Sequence, residues 1–405
     1  MSINCEIKFD ENPYGVYLPG QTLSGIVELR LDEAVEVRGI ALQIKGVAEV
    51  SWCESSGTGS NRETIHYHGR QDYMNSTTYL AGLKDGTNIN LLPGLHPYRF
   101  SCDLPANLVT SVEAKHGHIR YTVKVIVERS WKADQSYKVA FTVLRHVNLS
   151  EENFDVRLPT KTTHAKTFCC GSCRSAPMVF TAETPISGYV PGQTIAVRIE
   201  VDNQSNKTLN EIATKLLREV SFISQTPYTR VKTSTAVMAE IRCKGVEKHQ
   251  KDSCVQHLLI PPLPPTNRTC QVLTVNYVLE VEGKFSGLTI NPRIQVPITL
   301  GTIPLTTSAI PTFDDVPNMT ATIVVQPMAS TSNAQTHAIP VDLPPPSYEE
   351  ATHTNRANIQ EEGETNEIGC KEFSPRYIIY RFSADEPTLP EVFESKSNKQ
   401  SMEVE

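Results

Sequence analysis

Apolar and polar residues largely alternate in two stretches of the chain, residues 23–31 and 195–202. In the first stretch Leu23, Val27 and Leu29 share one face, and polar residues occupy most of the other face. The matching apolar face of the second stretch is formed by Ile195, Val197, Ile199 and Val201. A period of two with one apolar face is typical of a half-buried antiparallel strand. The pattern predicts one such strand in each half.

Further strand patterns follow in both halves, each after a proline-marked break at residues 104–105 or 261–265. Short strands at this spacing, with few helical patterns, are typical of a β-sandwich. The apolar faces of these later strands are formed by Tyr121, Val123, Val125 and Val127 in the first half and by Tyr277, Leu279 and Val281 in the second.

Residues 210–221 are ambiguous, because Ile212 and Leu216 are four apart and could share a helix face. The corresponding segment of the first half, residues 37–50, alternates through Ile40, Leu42 and Ile44. We therefore predict a strand at 210–221.

A hexapeptide occurs twice: residues 17–22 read Tyr-Leu-Pro-Gly-Gln-Thr and residues 189–194 read Tyr-Val-Pro-Gly-Gln-Thr, 172 positions later. Proline fixes φ and glycine accepts a positive φ, so each copy predicts a turn before its strand. The period is far longer than the roughly 20–50 residues of a solenoid repeat. It indicates a domain written twice, each copy with its own core.

The chain has 405 residues, enough for two domains of about 150 residues and an additional segment. We predict an all-β fold of two tandem immunoglobulin-like antiparallel β-sandwiches followed by a disordered tail, because the last hundred residues are rich in Pro, Ser, Thr, Asn and Glu. The boundaries are a first sandwich at 1–150, a linker at 151–176, a second sandwich at 177–304 and an acidic tail at 305–405.

The net charge of −7 is distributed unevenly along the chain. From residue 305 onward there are 6 basic and 16 acidic residues, about −10, which leaves the body near +3. No dense basic stripe of the kind that binds nucleic acid is present. A mildly basic body does suit anionic membrane surfaces or acidic receptor tails.

The N-terminus has no signal segment and no run approaches 18 apolar residues, so we expect a cytoplasmic protein whose ten cysteines are thiols. No phosphate-binding glycine loop, Gly-x-Ser-x-Gly elbow or His-Glu-x-x-His motif occurs. We expect no enzymatic activity, no cofactor and no metal.

The tail contains one chemically specific motif, in which Pro345 and Pro346 precede Tyr348 by the spacing Pro-Pro-x-Tyr. Consecutive prolines favour a polyproline II helix, which aromatic-lined grooves bind without a large ordering cost. WW domains recognise this pattern, with the tyrosine ring in a neighbouring groove. The alternative is a proline-rich spacer.

A degenerate copy follows at Pro375 and Tyr377, with Ser374 in place of the first proline. We interpret it as a candidate secondary WW-binding site. The alternative is a plain hydrophobic patch over residues 373–382.

Three thiols, Cys169, Cys170 and Cys173, cluster between the two predicted sandwiches. They could be structural or inert, or they could be S-acylated against a membrane, since Lys166 and Arg174 flank them. A zinc site is the third alternative, although a fourth ligand at regular spacing is missing.

The duplicated sandwich with Pro-Gly-Gln turns, followed by Pro-Pro-x-Tyr, resembles the arrestin domain-containing proteins, the α-arrestin branch of the arrestin superfamily. The residues that carry the resemblance are 14–20, 188–193 and 296–305, together with 345–348. The resemblance implies the arrestin fold over residues 5–304.

The resemblance also implies a non-catalytic adaptor. Its tail would recruit HECT-type ubiquitin ligases through their WW domains, and its body would engage membrane receptors or transporters as cargo. It would be cytoplasmic, associate peripherally with membranes and be recruited to the plasma membrane and endosomes, promoting ubiquitination, endocytosis and endosomal transport. Two alternatives are a thiol-dependent thioredoxin binder, using Cys243 or Cys254, and a retromer-like trafficking scaffold.

Overall fold

Strands account for nearly all the regular structure of the chain, which we describe from a computed structural model. The structure describes residues 3–57, 62–84, 86–170, 173–174, 176–287, 290–305, 347–351, 357–360, 367–368 and 372–381. Within these ranges the one helical element is a 3-10 turn at Phe154–Arg157. Nothing in the described part is a helix of the length and apolarity that a membrane crossing requires. The predicted all-β class is confirmed.

The first sandwich has one sheet of order β1-β3-β7 facing a second sheet of order β2-β10-β9-β4-β5, in which β6 also pairs with β4 and β8 with β9. Every second residue of β3 from Leu23 to Leu31 is buried between the sheets, as the alternation predicts. The strands are β1 Ile3–Phe9, β2 Val16–Tyr17, β3 Thr22–Leu31, β4 Val35–Ser56, β5 Glu63–Gly82, β6 Ile89–Leu91, β7 Gly94–Asp103, β8 Val112–Ala114, β9 Gly117–Arg129 and β10 Gln135–Val143.

The strands of the second sandwich are β11 Thr160–Lys166, β12 Cys169–Cys170, β13 Cys173–Arg174, β14 Met178–Thr184, β15 Gly188–Tyr189, β16 Thr194–Asn203, β17 Glu211–Ile223, β18 Val231–Lys244, β19 Gln250–Leu259, β20 Leu273–Lys284 and β21 Arg293–Leu300. One sheet has the order β11-β14-β16-β19, and the other β15-β21-β20-β17-β18. Apart from β11 in the second sandwich and the short strands β6 and β8 in the first, the two sandwiches have the same strand order. The tandem sandwiches are confirmed, and β17 shows that the strand interpretation of residues 210–221 was correct.

The segment assigned to a linker, residues 151–176, is partly built into the second sandwich. Strand β11 pairs antiparallel with β14 along its whole length, from Thr160 opposite Thr184 to Lys166 opposite Met178. Its threonine-rich sequence suits an edge strand, because β-branched residues favour extended backbone. The structural part of the second domain therefore begins before residue 177.

The tail returns to the body in short strands, which are β22 Ser347–Glu350, β23 Ala357–Asn358, β24 Glu367–Ile368, β25 Glu372–Phe373 and β26 Arg376–Ile379. β22 pairs with β26, β23 with β25, and β24 adds to the edge of β10. At these strands the chain differs from the expected disorder, while the rest of the tail from residue 306 onward lies largely outside the described residues. Tyr377, Ile378 and Tyr380 are buried in the same cluster as both sandwich cores, because four consecutive apolar residues supply a surface that the average composition of the tail conceals.

Strands β4 and β5 are about twice as long as their neighbours, and the hairpin they form reaches the second sandwich. His68 of β5 donates its N–H to the carbonyl of Thr226 at 3.0 Å and accepts from the N–H of Gln225 at 2.8 Å. The hydroxyls of Tyr67 and Tyr228 lie 2.6 Å apart. These contacts join the two domains away from the connecting chain.

Candidate partner-binding site

The two Pro-Gly-Gln turns close through the same side-chain hydrogen bond. In the first turn the side-chain oxygen of Gln21 accepts the N–H of Leu18 at 2.8 Å. In the second turn the side-chain oxygen of Gln193 accepts the N–H of Val190, also at 2.8 Å. In each turn the glutamine side chain thus accepts a backbone N–H that would otherwise need a backbone carbonyl, and this bond stabilises the turn.

The glycines of these turns are also equivalent in backbone conformation. Gly20 has a φ of 83° and Gly192 a φ of 93°, in the region that glycine adopts without strain. The N–H of Gly20 donates to Leu104 at 3.1 Å, and that of Gly192 donates to Ile260 at 2.8 Å. Each turn is thereby tied to the proline-marked break of its own sandwich.

The surroundings of the two glycines differ completely. A Cβ placed on Gly20 would meet no atom within 4 Å, whereas one placed on Gly192 would overlap the backbone of Tyr380. The second turn is therefore covered by the tail, and the missing side chain at Gly192 is what allows the tail to approach.

Tyr380 fastens the tail to the second sandwich. Its hydroxyl donates to the carbonyl of Thr302 at 2.7 Å, and its N–H donates to the carbonyl of Pro191 at 3.0 Å. The side chain is buried, and burial raises the pKa of Tyr380 to about 12. The tyrosine is therefore neutral at physiological pH and acts as a hydrogen-bond donor.

Tyr377, the tyrosine of the candidate secondary WW site, lies on the first sandwich. Its ring is fully buried and its hydroxyl donates to the carbonyl of Ser111 at 3.0 Å. The preceding N–H, that of Arg376, donates to the hydroxyl of Thr142 at 3.1 Å. A WW domain cannot reach Tyr377 in this arrangement, so binding at Pro375 and Tyr377 remains a prediction that requires the strand to leave the body.

Tyr348, the tyrosine of the Pro-Pro-x-Tyr motif, is half-buried in β22. Its ring centroid lies 6.1 Å from the ring centroid of Tyr14. The guanidinium of Arg376 lies over the Tyr14 ring, 5.6 Å from the centroid of that ring. Burial raises the pKa of Tyr348 above its ordinary value. Pro345 and Pro346 lie outside the described residues, so their contribution to WW binding remains a prediction.

Beneath the tail, Arg218 of β17 is a charged residue that the sequence pattern gave no reason to single out. It is 6% exposed, and its Nε and Nη1 have no hydrogen-bond partner in the part of the chain that the structure describes. Burial raises the pKa of Tyr377 well above its ordinary value, and the positive charge of Arg218 partly opposes that rise. The charge of Arg218 therefore acts on a tail tyrosine, while two of its own nitrogens are unsatisfied within the described residues.

The thiol cluster forms a backbone hairpin, in which β12 pairs with β13 and Cys170 lies opposite Cys173. The hairpin follows β11, whose last residue Lys166 pairs with Met178. The side chains of Cys169, Cys170 and Cys173 lie outside what the structure describes. S-acylation, metal binding and an inert role all remain predictions for these thiols.

The thiols that the thioredoxin alternative would use lie on the two facing sheets of the second sandwich. The Sγ atoms of Cys243 on β18 and Cys254 on β19 are 3.3 Å apart. Burial, with a smaller effect of Cys243, raises the pKa of Cys254 to about 12. Since the thiolate is the nucleophile, Cys254 is a poor one at neutral pH.

Two family models match the chain and together span most of the body. The N-terminal domain of arrestin (or S-antigen) matches residues 5–150, and the C-terminal domain of the same family matches residues 174–305. Each match covers most of one sandwich, and β11 of the second sandwich precedes the second match.

Curated relatives with the same two domains are similar over about three quarters of the chain. Arrestin domain-containing protein 17 of Caenorhabditis elegans is 35% identical over 319 residues, which are 74% of this chain and 70% of the relative. Human arrestin domain-containing protein 4 is 29% identical over 303 residues, 73% of this chain and 70% of the relative. Rat arrestin domain-containing protein 1 is 28% identical over 290 residues, 71% of this chain and 62% of the relative.

Proposed function

We propose a function from the premise that this chain belongs to the arrestin family, as an arrestin domain-containing protein of the α-arrestin branch. The proposed function is the recruitment of HECT-type ubiquitin ligases to membrane cargo. The family membership makes it an adaptor that brings other proteins together. The identity of those proteins is the proposal.

The observation that carries the proposal is the motif formed by Pro345, Pro346 and Tyr348. It is the only Pro-Pro-x-Tyr in the chain, and it lies on a segment connected to the body by a long stretch after Leu305. A WW domain would hold the prolines on its aromatic groove and bury the tyrosine ring, which supplies most of the apolar contact of the motif.

The body would supply the cargo side of the adaptor. Its charge near +3 suits acidic receptor or transporter tails and anionic lipid, while the tail near −10 is repelled from the same surface. We place the protein in the cytoplasm, recruited to the plasma membrane and endosomes, where ligase and cargo would meet on it and ubiquitination would direct endocytosis.

The test is calorimetry of synthetic tail peptides against single and tandem WW domains of such a ligase. Replacing Tyr348 with alanine should cost about 2 kcal/mol or more, roughly a 30-fold loss of affinity, because one aromatic anchor typically dominates a small interface. Ser347→Ala is the matched control, since the variable position of the motif faces away from the groove and should leave the affinity unchanged.

Equal binding of the wild-type and Tyr348→Ala peptides would remove the ligase from the proposal and favour the trafficking-scaffold alternative. The thioredoxin alternative gains no support from the structure, because the thiol of Cys254 is half-buried and its pKa is raised. In cells, the same tyrosine substitution should abolish cargo ubiquitination while the body still reaches its cargo.

A further inference from the structure

The two tyrosine motifs of the tail are strands of one pair. Tyr348 lies opposite Ile378 and Glu349 lies opposite Tyr377 in the antiparallel register of β22 and β26. The pair extends to Ala351, whose N–H donates to the carbonyl of Pro375 at 2.9 Å. Residues 347–351 are therefore held as an extended strand against the second motif.

Charged side chains reinforce this pairing from within the tail. The guanidinium of Arg381 lies 3.0 Å from the carboxylate of Glu349, and that of Arg376 lies 3.5 Å from Glu350. Both pairs are largely exposed, so each contributes little alone. They do fix the register in which Tyr348 faces the body.

The paired strands are fastened to both sandwiches. Tyr377 and Arg376 bond to the first sandwich at Ser111 and Thr142, and Tyr380 bonds to the second sandwich. Release of the pair requires both attachments to open, since β26 is continuous between them.

The docked state of the tail is incompletely satisfied. A cleft of about 580 Å³ separates parts of the tail from the first sandwich, lined by Tyr14, Phe141, Thr142, Glu350, Phe373 and Arg376 among others. Arg218, whose charge acts on Tyr377, has two nitrogens without a hydrogen-bond partner in the described part of the chain. The open cleft and the unsatisfied cation leave the contact between tail and body less than fully complementary.

We propose that docking of residues 376–381 on the body and binding of a WW domain at Tyr348 exclude each other, so that the body holds the ligase motif closed. A WW domain needs the ring of Tyr348 inserted in its groove, whereas β22 holds residues 347–350 as a strand paired with β26, with that ring against Tyr14 of the body. This inference rests on the proposed function.

The shared pairing has a second consequence, since the two motifs open together. In the open state that a WW domain binds at Tyr348, residues 376–381 have left the body, so Tyr377 is exposed at the same time and its exposure costs nothing further. A tandem WW ligase should therefore gain more affinity from its second domain than linkage alone provides. If the tail is docked in about 99% of molecules, the apparent affinity of a single WW domain falls about 100-fold below that of the free motif.

The two glycines provide the matched variants for a test. Gly192→Ala places a methyl group on the backbone of Tyr380 and should displace the tail, while Gly20→Ala has an equally positive φ and open space around it. Both full-length variants carry the same backbone strain, so their difference isolates the docked tail. The probe is one isolated WW domain, titrated by calorimetry against wild type, both variants and a synthetic peptide of residues 340–352.

The expected result is that the peptide binds at least tenfold more tightly than the wild-type chain, that Gly192→Ala approaches the peptide, and that Gly20→Ala matches wild type. If Gly192→Ala does not fold, Tyr380→Phe removes the bond to Thr302 and should raise the affinity by a smaller factor. Equal binding of the wild-type chain and the peptide would overturn the inference, as would wild-type affinity in both Gly192→Ala and Tyr380→Phe. A peptide that does not bind at all would instead refute the proposed function.

Discussion

The first and second Pro-Gly-Gln turns have the same residues, the same glutamine hydrogen bond and the same glycine conformation, yet different surroundings. The first is open to solvent at its glycine, and the second is covered by Tyr380. Duplication thus supplied two equivalent turns, and the returning tail made one of them a docking surface. The two turns therefore differ in role because the tail contacts only the second, and not because of any difference in their own residues or conformation.

The largest effect is expected from a substitution that removes the side chain of Tyr380, the residue that covers the second Pro-Gly-Gln turn and has no counterpart at the first. Tyr380→Ala deletes a buried ring and its hydroxyl bond to Thr302, a loss of up to about 3–5 kcal/mol that cannot exceed the docking free energy, because the body can remain folded without the tail. Tryptic cleavage at Arg376 and Arg381 should accelerate by about 100-fold, since proteolysis follows the open population. Mass spectrometry of timed digests measures this rate.

Tyr380→Phe is the matched control for that substitution. It keeps the ring and removes the hydroxyl bond to Thr302, so cleavage should accelerate only by about fivefold to tenfold. Unchanged cleavage in Tyr380→Ala would mean that the second turn is no more covered than the first.

An effect of intermediate size is expected on the pH dependence of stability, from a carboxylate of the second sandwich, Glu282, that the first sandwich lacks at the equivalent position. Burial acts to raise the pKa of Glu282, but hydrogen bonds from Lys215, Asn291 and Arg293 outweigh it and lower the pKa to about 2. If Tyr121 and Tyr277 are taken as equivalent positions, the residue of the first sandwich that corresponds to Glu282 is the apolar Ile126. Because the folded pKa lies below the ordinary value of 4.5, this carboxylate stabilises the protein above about pH 4.5 and loses that contribution as the pH falls toward 2.

Glu282→Gln should therefore reduce stability near pH 7 and flatten its decline between pH 4.5 and 2. Thermal unfolding across this pH range measures the difference from wild type. Both tryptophans, Trp52 and Trp131, belong to the first sandwich, so their fluorescence follows that domain while circular dichroism follows both. Equal pH dependence in wild type and variant would show that the acid sensitivity of the second sandwich has another source.

The smallest expected effect is a loss of unfolding free energy on removing the glutamine side chain of either turn, and it should be equal for the two turns. Gln21→Ala and Gln193→Ala each remove one side-chain hydrogen bond of 2.8 Å and should each destabilise the protein by about 1 kcal/mol. Urea unfolding of the two variants measures the effect. A much larger loss for Gln193→Ala would show that the tail contributes to its turn, and the equivalence of the two turns would then fail.

The sequence predicted the sandwiches because their signals are local and repeated. The alternation around Val27 recurs around Ile199, and the strand at residues 210–221 could be chosen over a helix by its partner in the first half. Strand β11 was missed because it lies in a stretch without an apolar face and gains its place by pairing with β14.

The candidate site was predicted only in part. The spacing of Pro345, Pro346 and Tyr348 is visible in the sequence, but the body contacts of the tail join residues far apart in the chain. Tyr377 bonds to Ser111 across 266 positions, and no local pattern encodes such a pair. Tyr377, Ile378 and Tyr380 are buried against the body, Phe382 lies outside the described residues, and the choice between a WW-binding site and a hydrophobic patch stays a prediction.

The long hairpin has a consequence for the order of synthesis. β4 and β5 are complete at Gly82, but the second-domain residues that cover Tyr67 and His68 follow at 224–228. At about 5–20 residues per second, a ribosome needs roughly 7–30 s to reach them. During that interval the stacked rings of Trp52 and Tyr67 lie on a strand pair without its later neighbour, so the nascent first domain presents an aromatic surface until the second domain emerges.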